Sequence, residues 1–245
     1  MINLSANRKR AEATLFLLLL CCPLVVLPTV LYDPISLPRF LVLVTLSFYL
    51  LVFILTLGTS NLNKKFYIFT LPFLIALILI ILIHFSKPNI FFGIFGRNTG
   101  FITYLCLAIL LYSTAVLAPK SENIIIKSII FVSSINTVYG LIQLLNLDPI
   151  PWNLNFGRLV GTFGQPNFFS AMLGFGSIAL LHKYLVSANV RTKLLIFFSI
   201  SLTLFVCFSS QSIQGIYIFL IGAVILVYVK YVNGKKRFVT GSFLI

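Results

Sequence analysis

Arg97 and Arg158 each precede a predicted helix and stand close to glycines, a pattern that favours a phosphate-binding site. The free N–H groups at the start of a helix attract anions, and an arginine beside them can hold two phosphate oxygens at once. Arg158 is followed by Gly161 and Gly164, where a ligand could approach the backbone, and by Asn167 at the predicted helix start. The alternative is that both arginines only reach lipid headgroups at a membrane surface.

A second set of polar residues lies in apolar surroundings. Asn136, Gly140 and Gln143 recur at the spacing i, i+4, i+7, which places them on one face of a helix. Such a stripe of small and polar residues is typical of packing between membrane helices. It could instead line a substrate cleft, for which Gln211, in the polar segment Ser209–Gly215, is a further candidate.

The elements that carry these residues are predicted to be membrane helices. Of the 245 residues, 60% are hydrophobic and 9% are charged, whereas soluble domains are about 25% charged, so a soluble enzyme is excluded. A helix needs about 20 apolar residues to cross a bilayer. The sequence has eight such runs, approximately at residues 13–32, 40–58, 66–84, 101–118, 124–145, 168–185, 194–208 and 215–229. Because polar and apolar residues do not alternate in them, we predict an all-α integral membrane protein that forms one domain over residues 1–245.

Basic residues indicate how the chain is oriented in the membrane. Between the predicted spans, 14 of the 18 Lys and Arg residues fall on one side, and the other side receives only Arg39, Lys87, Arg97 and Arg158. By the positive-inside rule, both termini are cytoplasmic and the four exceptions face outward. The net charge of +14 is therefore a signal of orientation, and a nucleic-acid partner is excluded.

Acidic residues bear on the chemistry, because only Asp33 and Asp148 face outward in this topology. Two isolated carboxylates do not supply the paired ligands that hold Mg²⁺ in proteins. We therefore expect no metal and no other cofactor. Arginines and helix ends would have to stabilise any phosphate chemistry.

Short polar residues and prolines mark the expected helix ends on the outer side. Ser36 is placed to cap the second helix, and Asn98 or Thr99 to cap the fourth.

Pro23 and Pro28 fall within the first span, which follows a basic stretch and lacks a small-residue cleavage site. We interpret that span as a retained signal anchor.

Three segments together resemble the O-antigen ligase/polymerase superfamily, also called the Wzy/WaaL type. They are Gly96-Arg97-Asn98-Thr99-Gly100, Tyr139-Gly140-Leu141-Ile142-Gln143, and Arg158 followed by Gly161-Thr162-Phe163-Gly164-Gln165-Pro166-Asn167-Phe168. They follow one another in the family's order, and the stretch from Arg158 to Asn167 is the most specific. The segment Ser209–Gly215 resembles the family's Ser-Arg turn but has no arginine.

The resemblance implies a fold related to the GT-C glycosyltransferases and an enzyme that works on the outer face of the cytoplasmic membrane. Members of the family transfer a glycan from a polyprenyl-diphosphate carrier to a lipid, glycan or protein acceptor, without a metal. Family arginines hold the diphosphate, and Arg158 and Arg97 are the residues that match them here. Gly161, Gly164 and Asn167 are expected to complete that site.

The family's catalytic histidine lies on a large external loop that follows the matched region. The resemblance therefore implies that these residues correspond to the N-terminal part of a longer architecture, with the general base beyond Ile245. A protein that stopped at Ile245 would be expected to lack transferase activity.

Two other functions compete with glycan transfer. A lipid or small-molecule transporter, such as a flippase, would use the face of Asn136 and Gln143 as a polar pathway. No ionisable residue lies at the middle of a predicted span, which argues against an ion-coupled carrier. A non-catalytic membrane scaffold would tolerate Arg158→Ala, whereas a ligase or polymerase would lose glycan transfer.

Overall fold

The computed structural model describes residues 4–28, 33–57, 64–84, 87–94, 96–118, 120–150 and 158–242. Over these ranges the chain is all-helical, without strands. The helices are α1 (Leu4–Leu24), α2 (Ser36–Leu57), α3 (Lys64–His84), α4 (Phe101–Leu117), α5 (Lys120–Leu144), α6 (Pro166–Val186), α7 (Val190–Ser209) and α8 (Gln214–Ser242). Two short 3₁₀ turns, Pro88–Ile90 and Gly161–Phe163, precede α4 and α6.

Five of these helices are long and apolar enough to cross a membrane. The qualifying segments are Ser36–Leu57, Ser121–Leu144, Pro166–Val186, Val190–Ser209 and Gln214–Val232, and shorter apolar stretches occupy Thr70–Ile83 and Phe101–Leu117. The prediction of a helical, multi-pass membrane protein is thereby confirmed. The count of eight crossings, the orientation and the relation to GT-C enzymes stay predictions.

The first predicted span, 13–32, has the wrong bounds. Its helix, α1, begins before the basic stretch and ends at Leu24, and the last four residues of the predicted span lie outside the described ranges. Pro28 disfavours helical backbone in the residue before it. The Arg39 guanidinium also binds the end of α1, because it donates to the carbonyl oxygens of Pro23 (2.9 Å) and Val25 (3.4 Å). This arginine, predicted to face outward, therefore has a structural task.

Contacts divide the chain into two compact units, Met1–Ser128 and Ile129–Ile245, and α5 contributes to both. In the first unit α1 and α2 run antiparallel, with the Asn7 side chain donating to the Thr56 hydroxyl (3.0 Å) at the opposite end from Arg39. Its core contains Leu15, Leu50, Ile54 and Leu117, all fully buried. The presence of one membrane domain over residues 1–245 stays a prediction.

In the second unit α6 packs between α7 and α8. In its first half, α6 approaches the start of α8 so closely that a side chain on Gly174 would overlap the backbone of Gly215. At its other end, the Lys230 ammonium group of α8 donates to the carbonyl oxygen of Leu185 (3.1 Å). The two helices therefore run parallel, and they place the segment before α6 beside the segment before α8.

Candidate functional site

The segment 158–164, called here the Arg158 loop, leads directly into α6. Arg158 is exposed, whereas the next two residues, Leu159 and Val160, are buried. The 3₁₀ turn follows, and Gly164 then takes a left-handed conformation (φ +67°) that redirects the chain towards the helix. The loop therefore leaves its arginine exposed, while its backbone is held within the second unit.

The anchor is the polar stripe of α5. The Gln143 side-chain oxygen accepts from the N–H groups of Val160 (3.1 Å) and Gly161 (2.9 Å). The Asn136 side-chain oxygen accepts from the N–H and the hydroxyl of Thr162, both at 3.0 Å. Asn136 is fully buried. Both cleft-lining candidates on α5 thus bind the Arg158 loop, a partner that their spacing alone did not identify.

Two glycines and Phe169 complete the contact between α5 and the Arg158 loop. Gly161 has a positive φ (+55°), and a side chain there would overlap the ring of the fully buried Phe169. On α5, a Cβ atom at Gly140 would come within 2.8 Å of the same ring. Gly161 is therefore covered by Phe169, and its amide is already bonded to Gln143. Direct contact of Gly161 with a diphosphate stays a prediction.

A carboxylate holds the other side of Gln143. Asp148 accepts from the Gln143 NH₂ group on one oxygen (2.7 Å), and from the Tyr139 hydroxyl (2.7 Å) and the Ile150 N–H (2.9 Å) on the other. Sequence reasoning noted Asp148 only as an outward-facing acid and did not include it among the site residues. The available signal was a lone carboxylate five residues after a glutamine at the end of a helix.

Asn167, in the first turn of α6, links the site to the start of α8. It is exposed, and its side-chain oxygen accepts from the Ser212 hydroxyl (3.0 Å). One turn later, the Ser170 hydroxyl donates to the Ser212 carbonyl (3.0 Å) and accepts from the Gly215 N–H (2.8 Å). Gln211, the third cleft-lining candidate, is exposed with a left-handed backbone (φ 56°).

The other arginine lies in the first unit, in a loop of different construction. Residues 91–94 and 96–100, called here the Arg97 loop, leave Arg97 exposed. Gly93 (φ +80°) lies against Gly100, where a Cβ atom on Gly93 would come within 2.6 Å of the Gly100 nitrogen. The Ile102 N–H donates to the Phe91 carbonyl (3.1 Å), which closes the loop on the first turn of α4.

The predicted caps of α2 and α4 are wrong. The cap residue of α4 is Gly100, and no side chain bonds to the helix start; Asn98 instead donates to the Ser36 hydroxyl (3.4 Å). At α2, the Asp33 carboxylate accepts from the N–H groups of Ile35 (3.2 Å) and Ser36 (2.9 Å), and the Ser36 hydroxyl donates to its other oxygen. An aspartate followed by proline favours this turn over capping by Ser36.

Hydrogen bonding also changes the acidity of Asp33. Partial burial raises the pKa of its carboxyl group, but the hydrogen bonds from Ser36, Ile35 and Leu37 stabilise the charged form and outweigh it. The pKa of Asp33 is consequently below its ordinary value. This carboxylate is a structural cap of α2, and it stays charged at neutral pH.

Because Arg97 and Arg158 belong to different units, joint binding of one diphosphate by both arginines stays a prediction. Comparison of the chain with the profiles of known protein families, with curated proteins and with solved structures finds no match in any of the three.

Proposed function

We propose that this protein binds the diphosphate of a polyprenyl-linked glycan at the Arg158 loop, as part of a membrane glycan ligase or polymerase of the O-antigen type. The glycan would pass to a lipid, glycan or protein acceptor on the outer face of the cytoplasmic membrane. Arg158 would hold the diphosphate, with Asn167, Gly164 and the first-turn N–H groups of α6 around it.

The observation that carries the proposal is the contact between two separate segments of the resemblance. The α5 segment ends at Gln143, and the side-chain oxygen of that residue holds the backbone directly after Arg158. The Arg158 guanidinium itself is exposed and bonds to no other residue of the described ranges. A rigidly held loop with an unengaged arginine is what recognition of a phosphate group requires.

The distribution of charge supports the outer location. The other basic residues of the second unit for which side chains are described lie at or near the far end of α6, namely Lys183, Arg191, Lys193 and Lys230. From Pro166 to Lys183, the helical rise amounts to about 25 Å. The start of α6, to which the Arg158 loop leads, is thus separated from the basic end by most of the thickness of a bilayer, a pattern that the positive-inside rule expects of an outward-facing segment.

The transport hypothesis has less support. A polar pathway along α5 would need accessible side chains, yet Asn136 is fully buried and Gln143 bonds to both the Arg158 loop and Asp148. Opening such a pathway would break these hydrogen bonds. We therefore propose diphosphate binding for glycan transfer as the single function.

The proposal is tested by binding to the full chain in nanodiscs of uncharged lipid. We expect polyprenyl diphosphate to bind in preference to the uncharged polyprenol. Arg158→Ala should weaken diphosphate binding by about tenfold or more, since a charge-assisted contact is lost. Arg158→Lys should recover part of the loss, because lysine keeps the charge without the paired contact.

Arg191→Ala is the matched control, because Arg191 is an exposed arginine near the opposite end of α6. It should bind polyprenyl diphosphate like the wild type. Equal affinity of the wild type and Arg158→Ala would contradict the proposed function.

A further inference from the structure

The Gln143 side chain lies between a group of donors and a group of acceptors. On one side, its oxygen accepts from the N–H groups of Val160 (3.1 Å) and Gly161 (2.9 Å). On the other side, its NH₂ group donates to Asp148 (2.7 Å). Asp148 is held in turn on its second oxygen by Tyr139 and Ile150.

This arrangement allows one orientation of the Gln143 amide. A carboxylate only accepts hydrogen bonds, and a backbone N–H only donates them. The amide must therefore present its NH₂ group to Asp148 and its oxygen to the loop. A rotation of the amide by 180° would place its NH₂ group against the N–H groups of the loop, and its oxygen against the carboxylate of Asp148. Donors would then face donors, and acceptors would face acceptors.

We propose that Asp148 is a positioning residue of the diphosphate site, an inference that rests on the proposed function. It acts through Gln143, whose amide orientation it sets, and thereby fixes the backbone of Val160 two residues after Arg158. Asp148 and Gln143 together couple the end of α5 to Arg158, and Asp148 does so without contacting the diphosphate. Arg158 thus keeps one place relative to the start of α6.

Asp148→Asn tests the inference with a change of a single group. The asparagine oxygen still accepts from Tyr139 and Ile150, but the new NH₂ group faces the NH₂ group of Gln143. If Gln143 turns to relieve this, its NH₂ group faces the loop donors instead. We expect hydrogen exchange at Val160 and Gly161 to become about tenfold faster, and polyprenyl diphosphate to bind about tenfold more weakly.

A double variant, Asp148→Asn with Gln143→Glu, should restore both properties. The introduced glutamate accepts from the loop amides on one oxygen and from the NH₂ group of the introduced asparagine on the other. The net charge and the side-chain sizes match those of the wild type. Gln143→Glu alone should be as damaging as Asp148→Asn, because two carboxylates then face each other. A general loss of structure would not be repaired in this way.

Two further variants keep the test decisive. Tyr139→Phe removes one donor to Asp148 and should raise exchange at Val160 and Gly161 in the same direction but by less, even if Asp148→Asn fails to accumulate. Asp33→Asn makes the same chemical change at the carboxylate that caps α2. It should leave exchange in the Arg158 loop and polyprenyl diphosphate affinity unchanged.

The outcomes separate this inference from the proposed function. Unchanged exchange in Asp148→Asn overturns the inference, and so does a double variant that behaves no better than Asp148→Asn. Faster exchange with unchanged polyprenyl diphosphate affinity overturns it too, while loss of binding in Arg158→Ala leaves the proposed function standing. If Arg158→Ala binds like the wild type, the proposed function falls and the inference falls with it.

Discussion

The Arg97 loop and the Arg158 loop both place an exposed arginine shortly before an apolar helix, but they are held in different ways. The Arg97 loop is held mainly by its own backbone, through the contact of Gly93 with Gly100, and its Asn98 makes one long hydrogen bond to Ser36 of α2. The Arg158 loop is held from outside itself by side chains of α5. The first loop relies mainly on contacts within its own backbone, and the second depends on a neighbouring helix.

This difference bears on which loop suits a binding site. A loop held mainly by its own backbone depends little on the packing of the helices around it. A loop fixed by buried side chains of a membrane helix takes a position set by the packing of that helix, and locked supporting residues are what a precise site needs. We therefore propose the Arg158 loop, rather than the Arg97 loop, as the diphosphate-binding site.

We expect the largest effect on stability from a substitution in the Arg97 loop. Gly93→Ala would force a side chain into a left-handed conformation and against the backbone of Gly100, at a cost of about 2–5 kcal/mol in the free energy of unfolding. Gly96 has a similar φ (+82°), with no atom within 4 Å of its Cβ position. Gly96→Ala should therefore cost only about 1–2 kcal/mol.

Unfolding by SDS in mixed micelles measures both glycine variants on one scale. Equal destabilisation by the two substitutions would show that the contact between Gly93 and Gly100 does not hold the Arg97 loop.

A smaller effect is expected from removing one side chain that holds the other loop. Asn136→Ala removes the acceptor of two hydrogen bonds from Thr162, and we expect a loss of about 2 kcal/mol. Its counterpart in the Arg97 loop, Asn98→Gly, keeps the left-handed backbone and removes one long hydrogen bond, so it should cost less than about 1 kcal/mol.

Ser134→Ala serves as the control for Asn136→Ala in the same unfolding measurement. Ser134 is an exposed residue of α5 that bonds only within its own helix. It should be neutral. A cost for Asn136→Ala no greater than that for Ser134→Ala would contradict the view that α5 holds the Arg158 loop.

Hydrophobic runs predicted the helices α2 to α8 well, because burial in lipid decides where they lie. They missed helix that continues beyond the apolar run: α7 begins at Val190 rather than 194, and α8 extends to Ser242 rather than 229. Polar residues such as lysine are good helix formers, so a helix does not stop where hydropathy falls. The hydrophobic runs also missed the end of α1, whose carbonyl groups bond to a side chain from α2, that of Arg39.

The sequence predicted which residues of the candidate site share one face of α5, but it did not predict which residues that face contacts. The spacing of Asn136, Gly140 and Gln143 correctly placed them on one side of α5, since helical periodicity is local. What that side contacts depends on a loop that returns to the helix from 17 or more residues further along the chain. Asp148 was missed for the same reason, because its role appears only once Gln143 has a partner on both sides.

Photolabelling would show whether the Arg158 loop contacts the diphosphate group. A polyprenyl diphosphate with a photoreactive group on its diphosphate end would be cross-linked to the wild-type chain in nanodiscs, and the labelled peptides would be mapped by mass spectrometry. We predict label in the segment 158–170, competed by unlabelled polyprenyl diphosphate but not by polyprenol. Label confined to the Arg97 loop, or spread over α8, would contradict it.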